Sequence, residues 1–495
     1  MPSTTPGKRV VVIGGGITGL TVCYRLQQAA QARHLPLRVT LLEASERLGG
    51  VIATSHQRGL LLEHGPDCFI TSRAGGVRLC EELGLGEELI STTTQHRQSF
   101  IVRHGKLRPV PQGLHLLVPG SLWSLATSSI LSWRGKLRMA CDLFLPPRIC
   151  SDDESLAHFV TRRLGREALE RIAQPMVSGI YTADPVQLSM QATLMRQFAE
   201  MERRQGSLIR AIWHRQRATQ AHDASLQGTS GPRYGLFVSF QQGMQTLIER
   251  LAQRLPADTV RLEARVTGIR RLPMHWRVQM QNQPDCEADA LCLALSAPQA
   301  GHLLTSVDPA LADALRIPYA SSAIVNVAYR RSDVAHPLNG MGFVVPAVEK
   351  RGLIACSFSS VKFAARAPAP QVLLRAFVGG ALQPAQYNLS DEEIQHTVCQ
   401  ELQQLLGITG SPLYADVSRH PQSMPQYHVG HVQRITDLEA RVQRLPGLIL
   451  AGNAYHGVGI PDCIESGDHA AQTLLSFLTA SARRVAPADS AVRPA

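Results

Sequence analysis

KRVVVIGGGITGL, residues 8–20, sets a β-branched run directly against four glycines. Val10, Val11, Val12 and Ile13 form an apolar stretch of the kind that is buried on both faces of a parallel sheet. Gly14-x-Gly16-x-x-Gly19 follows at once. In that spacing the first glycine permits a tight turn. The second lets the backbone approach a pyrophosphate, and the third lets the new helix pack on the strand. Gly15 lies inside the turn. Ile17 and Thr18 open a helix predicted to run to about Ala32, whose free N–H groups and dipole would face phosphates. Glycines after a strand can also be an ordinary turn, so the second strand is the test. RVTLLE, Arg38–Glu43, supplies it. Its terminal Glu43 is placed to accept from a ribose hydroxyl.

The chain then continues Glu43-Ala-Ser-Glu-Arg47-Leu-Gly49-Gly50. A guanidinium at 47 can bind a pyrophosphate bidentately. Gly49 and Gly50 let the chain run beneath a flat ring. A nicotinamide site does not need this extension. The combined pattern resembles the flavin amine oxidase superfamily, which implies FAD as the cofactor, held in an extended pose.

A chain of 495 residues is too long for one compact core, so two or more domains are expected. The formal charge of +11 suits an acidic ligand or an anionic surface. No Lys/Arg run interleaved with aromatics occurs, which speaks against nucleic acid. The ten cysteines are scattered, without a C-x-x-C. Zinc ribbons and thioredoxin-type redox chemistry are therefore disfavoured, and with no signal peptide a cytoplasmic protein is expected. Eighteen histidines show no metal-binding spacing. No run is long and apolar enough to span a membrane. GLHLLVPGSLWSLATSSILSW, 113–133, with Arg134, Lys136 and Arg138 beyond it, reads either as a dip into a membrane surface or as a helix pair of a substrate domain. The second is the reading adopted.

Hydrophobic periodicity gives an α/β chain with interleaved parts. Residues 1–90 are a first Rossmann-like part and 91–215 a largely helical subdomain that contains a hairpin at 99–111. Residues 216–300 return to the nucleotide-binding pattern. Residues 301–425 form a substrate domain with an antiparallel sheet, 426–480 a third nucleotide-binding part, and 481–495 a disordered tail. TVRLEARVTGIRRL, 259–272, reads as one strand. Ser151-Asp-Asp-Glu154 reads as a capping box for the helix behind it.

AGNAYHGVGIPDCIESG, 451–467, places glycines and apolar residues before a helix N-terminus. N–H groups there could hold a flavin carbonyl. With EHGPDCFITS (63–72), PQYHVGH (425–431) and VSGIYTADPVQLSM (177–190), this pattern resembles the FAD-dependent protoporphyrinogen IX and coproporphyrinogen III oxidases of haem biosynthesis. The likeness runs over about residues 8–478. It implies a porphyrinogen substrate, oxygen as acceptor and hand-over of product to a ferrochelatase. It implies FAD contacts at Gly14, Gly15, Gly16, Ile17, Thr18, Gly19, Glu43, Arg47, Gly49, Gly50, His64, Gly65, Pro66, Val266, Asn453, Val458, Gly459 and Ile460. Gly179 matches the glycine whose carbonyl faces the reacting carbon, and Val327 and Val345 match apolar walls of the substrate pocket. Two positions depart from the pattern. Ser99 stands where some members have a propionate-binding arginine, leaving Arg97, Arg103 or Lys106 as candidates. His420 stands where many have a tryptophan. An amine oxidase or carotenoid-type desaturase shares the N-terminal motif, and a non-redox escort protein can use the same fold. The C-terminal segment favours the porphyrinogen reading.

Overall fold

The computed structural model describes residues 7–96, 98–111, 117–118, 122–148, 150, 152–214 and 236–485. The loop at 222–233, Arg97 and the end of the tail lie outside them.

The first four apolar positions behave as their pattern demands. Lys8–Ile13 is the middle strand of a five-stranded sheet. From edge to edge its strands are Val260–Arg261, Leu37–Leu42, Lys8–Ile13, Ala290–Leu293 and Leu448–Leu450, all parallel. Side chains alternate across the strand. Val10 and Val12 join one core with the helices Ile17–Ala32, Gln245–Gln253 and Ile460–Val485. Val11 and Ile13 join another with Trp276 and Val278 of a small antiparallel sheet. The sheet thus draws on three distant parts of the chain.

The stretch 259–272 corrects the sequence reading. It is two strands: Val260–Arg261 edges the parallel sheet, and Val266–Arg271 starts the antiparallel one. Between them Glu263 adopts φ +53°, a left-handed turn that breaks the run.

A second sheet has seven strands in the order Tyr414–Pro425, Tyr319–Arg330, Gln371–Gly379, Ala355–Ser357, Gly342–Val344, Phe100–Arg103 and Lys106–Pro109. The hairpin read at 99–111 therefore belongs to this sheet rather than to the helical subdomain. Its first strand pairs in parallel with Gly342–Val344 through Phe343↔Phe100. One face packs on the helix Asp391–Leu406 through Val325, Val327, Ile394 and Leu402. The opposite face carries Asn326 and Arg375 and meets the chain around Glu63–Asp67.

The helical part packs Phe159, Val177, Tyr181 and Phe198 into one cluster. Its centre holds a fully buried ion pair, in which Arg163 Nε donates to Asp142 Oδ1 at 2.7 Å. The helix Leu156–Leu164 is capped by Ser155, whose Oγ accepts from His158 N at 3.2 Å. The box read at 151–154 is thus displaced, because the Glu154 carboxylate is occupied by Arg148, His158 and Arg162. Ser151 itself lies outside the described residues. Trp123, Trp133, Leu137 and Phe144 are exposed on this part's surface. Among the described residues no helix is long and apolar enough to cross a membrane.

Candidate functional site

The glycine turn can be tested atom by atom. Gly14 has φ +109°, and a Cβ there would lie 2.3 Å from Ala294 O. A Cβ on Gly19 would lie 1.9 Å from Gly14 O. These two glycines serve packing. Gly16 differs: a Cβ there would meet nothing within 4 Å, and one on Gly50 would meet only Gly16 Cα, at 3.5 Å. Gly16 is also the N-cap of helix Ile17–Ala32, with no side chain capping the first turn. A bare cradle therefore faces unsatisfied N–H groups at the positive end of a helix, which fits a pyrophosphate. Gly49 N donates to Gly15 O at 2.9 Å and holds the two loops side by side.

Glu43 accepts from Gly15 N at 2.6 Å and from Ser45 N and Oγ at 2.8 Å. Its carboxylate is therefore fixed beside the cradle, where a ribose would sit. Arg47 does something other than the phosphate clamp read from sequence. Its Nη1 donates to Leu48 O and Ile52 O, and its Nη2 to Gly50 O at 2.6 Å. It thereby shapes the Gly49–Gly50 loop. Thr18 turns inward, its Oγ1 donating to Cys463 O at 3.2 Å, and so locks the first helix to the last. Val266 stands two residues past Ala264, whose N donates to Glu43 O at 2.8 Å.

The segment 64–66 runs between the two sheets. His64 Nε2 lies 2.7 Å from Ser55 Oγ, while Nδ1 lies 2.8 Å from Ser418 Oγ and 3.3 Å from Asp416. His420 Nε2–H donates to the His64 carbonyl at 2.6 Å. A carbonyl only accepts, so this bond fixes the His420 tautomer with Nδ1 unprotonated. Burial and the neighbouring Arg375 push the His420 pKa down, so the ring stays neutral. Gly65 has no room for a side chain, since a Cβ would lie 1.7 Å from Val51 O. Arg375 Nη2 donates to its carbonyl. Burial raises Asp67, but Lys362 at 2.9 Å and Arg375 at 3.4 Å overcome this and hold its carboxyl well below the usual range.

The C-terminal loop arrives from the other side. Tyr427 OH donates to Asn453 O, and Val458 packs against the helical cluster. Gly459 N donates to Asp462 Oδ2 at 3.0 Å. Pro461 has no N–H, so Ile460 is left as the first free donor of that helix.

Gly179 lies in the helix Gln174–Tyr181. The helix stops at Thr182, whose φ of +47° is unusual for a β-branched residue. Thr182 N bonds Ser178 O at 3.0 Å, and no described N–H reaches the Gly179 carbonyl. A Cβ on Gly179 would meet only Val344 Cγ1, at 3.8 Å. The space above Gly179 is thus walled by Val344. The neighbouring Val345 is 3 % exposed in the core behind the sheet, and Val327 is wholly buried there. Neither lines the cavity assigned to them, because a strand alternates its faces and the sequence reading took the wrong parity. Asn326, Val344, Arg375, Asp67 and Lys362 were not singled out. Asn326 and Arg375 carried a signal: each is a lone polar residue in an apolar strand, IVNVAY and VLLRAFV. Of the propionate candidates, Arg103 donates to Ser129 O and Lys106 lies on the exposed edge strand.

The chain matches the description "flavin containing amine oxidoreductase" over residues 17–475. It is 34% identical to the coproporphyrinogen III oxidase of Bacillus subtilis, covering 95% of this chain and 98% of that one. It is 28% identical to protoporphyrinogen oxidase 2 of Arabidopsis thaliana, covering 98% and 97%. Among solved structures, a protein from Exiguobacterium sp. 255-15 described as a protoporphyrinogen oxidase superposes with a TM-score of 0.83 at 32% identity, covering 95% of this chain and 99% of that one.

Proposed function

The chain belongs to the family of flavin-containing amine oxidoreductases, and we propose that within it the protein oxidises coproporphyrinogen III to coproporphyrin III. It is an oxidoreductase with FAD as cofactor, and its function is that of a porphyrinogen oxidase of haem biosynthesis. The observation that supports the substrate site is the Gly179 carbonyl, which no N–H among the described residues reaches, beside the apolar Val344.

When bound, FAD supplies the hydride acceptor. The cradle of Gly14–Gly19 and Gly49–Gly50 would hold its pyrophosphate and Glu43 its ribose. The loops at His64–Pro66 and Asn453–Ile460 would hold the flavin. Gly179 O can accept from a pyrrole N–H and so orient the macrocycle, while Val344 and the Gly179 Cα exclude water from the ring face. No acid–base pair is required of the side chains, since loss of a ring N–H proton accompanies aromatisation.

The tetracarboxylate substrate is favoured over the dicarboxylate on two grounds. Identity is higher to the coproporphyrinogen III oxidase than to the plant protoporphyrinogen oxidase. The chain also carries a charge of +11, which suits a more anionic substrate. The test is aerobic porphyrin fluorescence from FAD-loaded protein given coproporphyrinogen III or protoporphyrinogen IX in parallel. A much faster rise with the first is expected. Preference for the second would move the protein one step later, and no rise with either would sink the assignment.

The exposed Trp123, Trp133, Leu137 and Phe144 favour a second reading, contact with an anionic membrane surface. Co-sedimentation with phosphatidylglycerol vesicles, lost in Trp123→Ser/Trp133→Ser, would support it. Equal sedimentation of the variant would not.

A further inference from the structure

Beside Gly65, whose carbonyl accepts from Arg375, the structure encloses a small cavity between the seven-stranded sheet and the chain at Leu61–Asp67. Its room is about 10 Å³, walled in part by Leu61, Phe363 and Leu373. Of its six polar lining side chains, three bring a buried atom without a hydrogen-bond partner among the described residues: Asn326 Oδ1, Ser359 Oγ and Arg375 Nε. The three residues are 0 %, 7 % and 3 % exposed. A buried polar atom left unpaired is costly, so three lining one cavity call for an occupant.

We propose that this cavity is a permanent site for one water molecule, which braces Arg375 against the cofactor loop. The volume admits about one water. The donor count closes as well: the water accepts from Arg375 Nε–H and donates to Asn326 Oδ1 and Ser359 Oγ. An anion is disfavoured by size and by the Glu63 and Asp67 carboxylates in the same wall. A cation is disfavoured by the Arg375 and Arg366 guanidiniums. The remaining atoms of these groups are already used. Asn326 Nδ2 donates to Glu63 O at 3.1 Å, while Arg375 Nη2 donates to Gly65 O and Nη1 faces Asp67. The water therefore fixes the Nε–H of the Arg375 guanidinium, whose Nη2 holds the Gly65 carbonyl. That positioning role rests on the assignment of Gly65 to the flavin loop; the occupancy of the cavity does not.

Two measurements test this. A crystal structure of the FAD-loaded protein at better than about 1.8 Å should show one water within hydrogen-bond distance of all three atoms. A dry cavity, or an occupant with anomalous scattering such as chloride, overturns the proposal. Ser359→Ala removes one partner of the water without touching the Arg375–Gly65 bond. It should fold, weaken FAD binding roughly 3- to 10-fold and shift the fine structure of the bound flavin's visible band. FAD affinity and spectrum unchanged from the parent would overturn the bracing role. Apoprotein of the parent that fails to take up FAD at all would instead defeat the cofactor assignment.

Discussion

Gly16 and Gly19 occupy the same turn and should fail for opposite reasons when changed to alanine. At Gly19 the new methyl would lie 1.9 Å from Gly14 O, backbone that cannot yield. We expect Gly19→Ala to lower stability by at least about 1–3 kcal/mol, read by urea unfolding of the apoprotein. At Gly16 a methyl meets nothing within 4 Å, so the apoprotein should unfold like the parent and yet bind no FAD. A Gly16→Ala protein that purifies yellow would contradict the assignment of the cradle. Gly179→Ala likewise has room, with Val344 at 3.8 Å, and should keep both fold and flavin while KM for the porphyrinogen rises. Unchanged KM would remove Gly179 from the substrate site. Gly179 rested on the family likeness, while Gly16 and Gly19 were legible as candidates because a motif fixes glycines by what must approach them. Val327 and Val345 were not, since alternation says that neighbours differ without saying which of them faces the cavity. Only the packing of helix Asp391–Leu406 decides that.

Elements with a strong local signal were read correctly, and those settled by competition were not. The first strand, its glycine turn and its helix follow from local chemistry alone. The cap of helix Leu156–Leu164 was misplaced because Ser151, Ser155 and Glu154 all qualify by type. Three side chains, Arg148, His158 and Arg162, claim the glutamate. That helix also holds Arg163, paired with Asp142 at zero exposure on both sides. Asp142 further accepts from Ser207 Oγ at 2.7 Å and Ile209 N at 3.1 Å. Asp142→Ala leaves the buried guanidinium with only Glu202, at 3.6 Å, as a carboxylate partner, which should cost about 3–5 kcal/mol in chemical unfolding. A loss under about 1 kcal/mol would mean that water reaches Arg163. No sequence pattern announced this pair, because its partners come from separate helices and nothing local links them.

At the scale of the whole molecule, one buried and three half-buried histidines give stability a common pH dependence. His431 stacks on Tyr427 with ring centroids 4.0 Å apart. Its Nε2–H donates to Tyr455 O at 3.2 Å. Burial lowers its pKa to about 4, the bond to Tyr455 opposes this, and Arg434 and His456 add to the lowering. The folded value lies below the unfolded one, so the unfolded chain binds the extra proton. The contribution is complete above about pH 6.5 and is lost as pH falls toward 4, by up to about 3 kcal/mol. His336, His420 and His428 are lowered by burial too and act in the same sense. Unfolding free energies at pH 7.5 and pH 5 should show the drop, and His431→Phe should flatten it. An equal slope in that variant would assign the effect elsewhere.

The order of strands in the parallel sheet has a consequence for how the protein is made. Lys8–Ile13 leaves the ribosome well before Leu448–Leu450 and the helix from Ile460 have been made. The helix behind the first glycine turn must therefore wait for its late partner, the helix from Ile460, which Thr18 locks to it through Cys463 O. Uptake of the yellow cofactor becomes a check on completeness, which a chain cut short by a nonsense codon or a protease cannot pass.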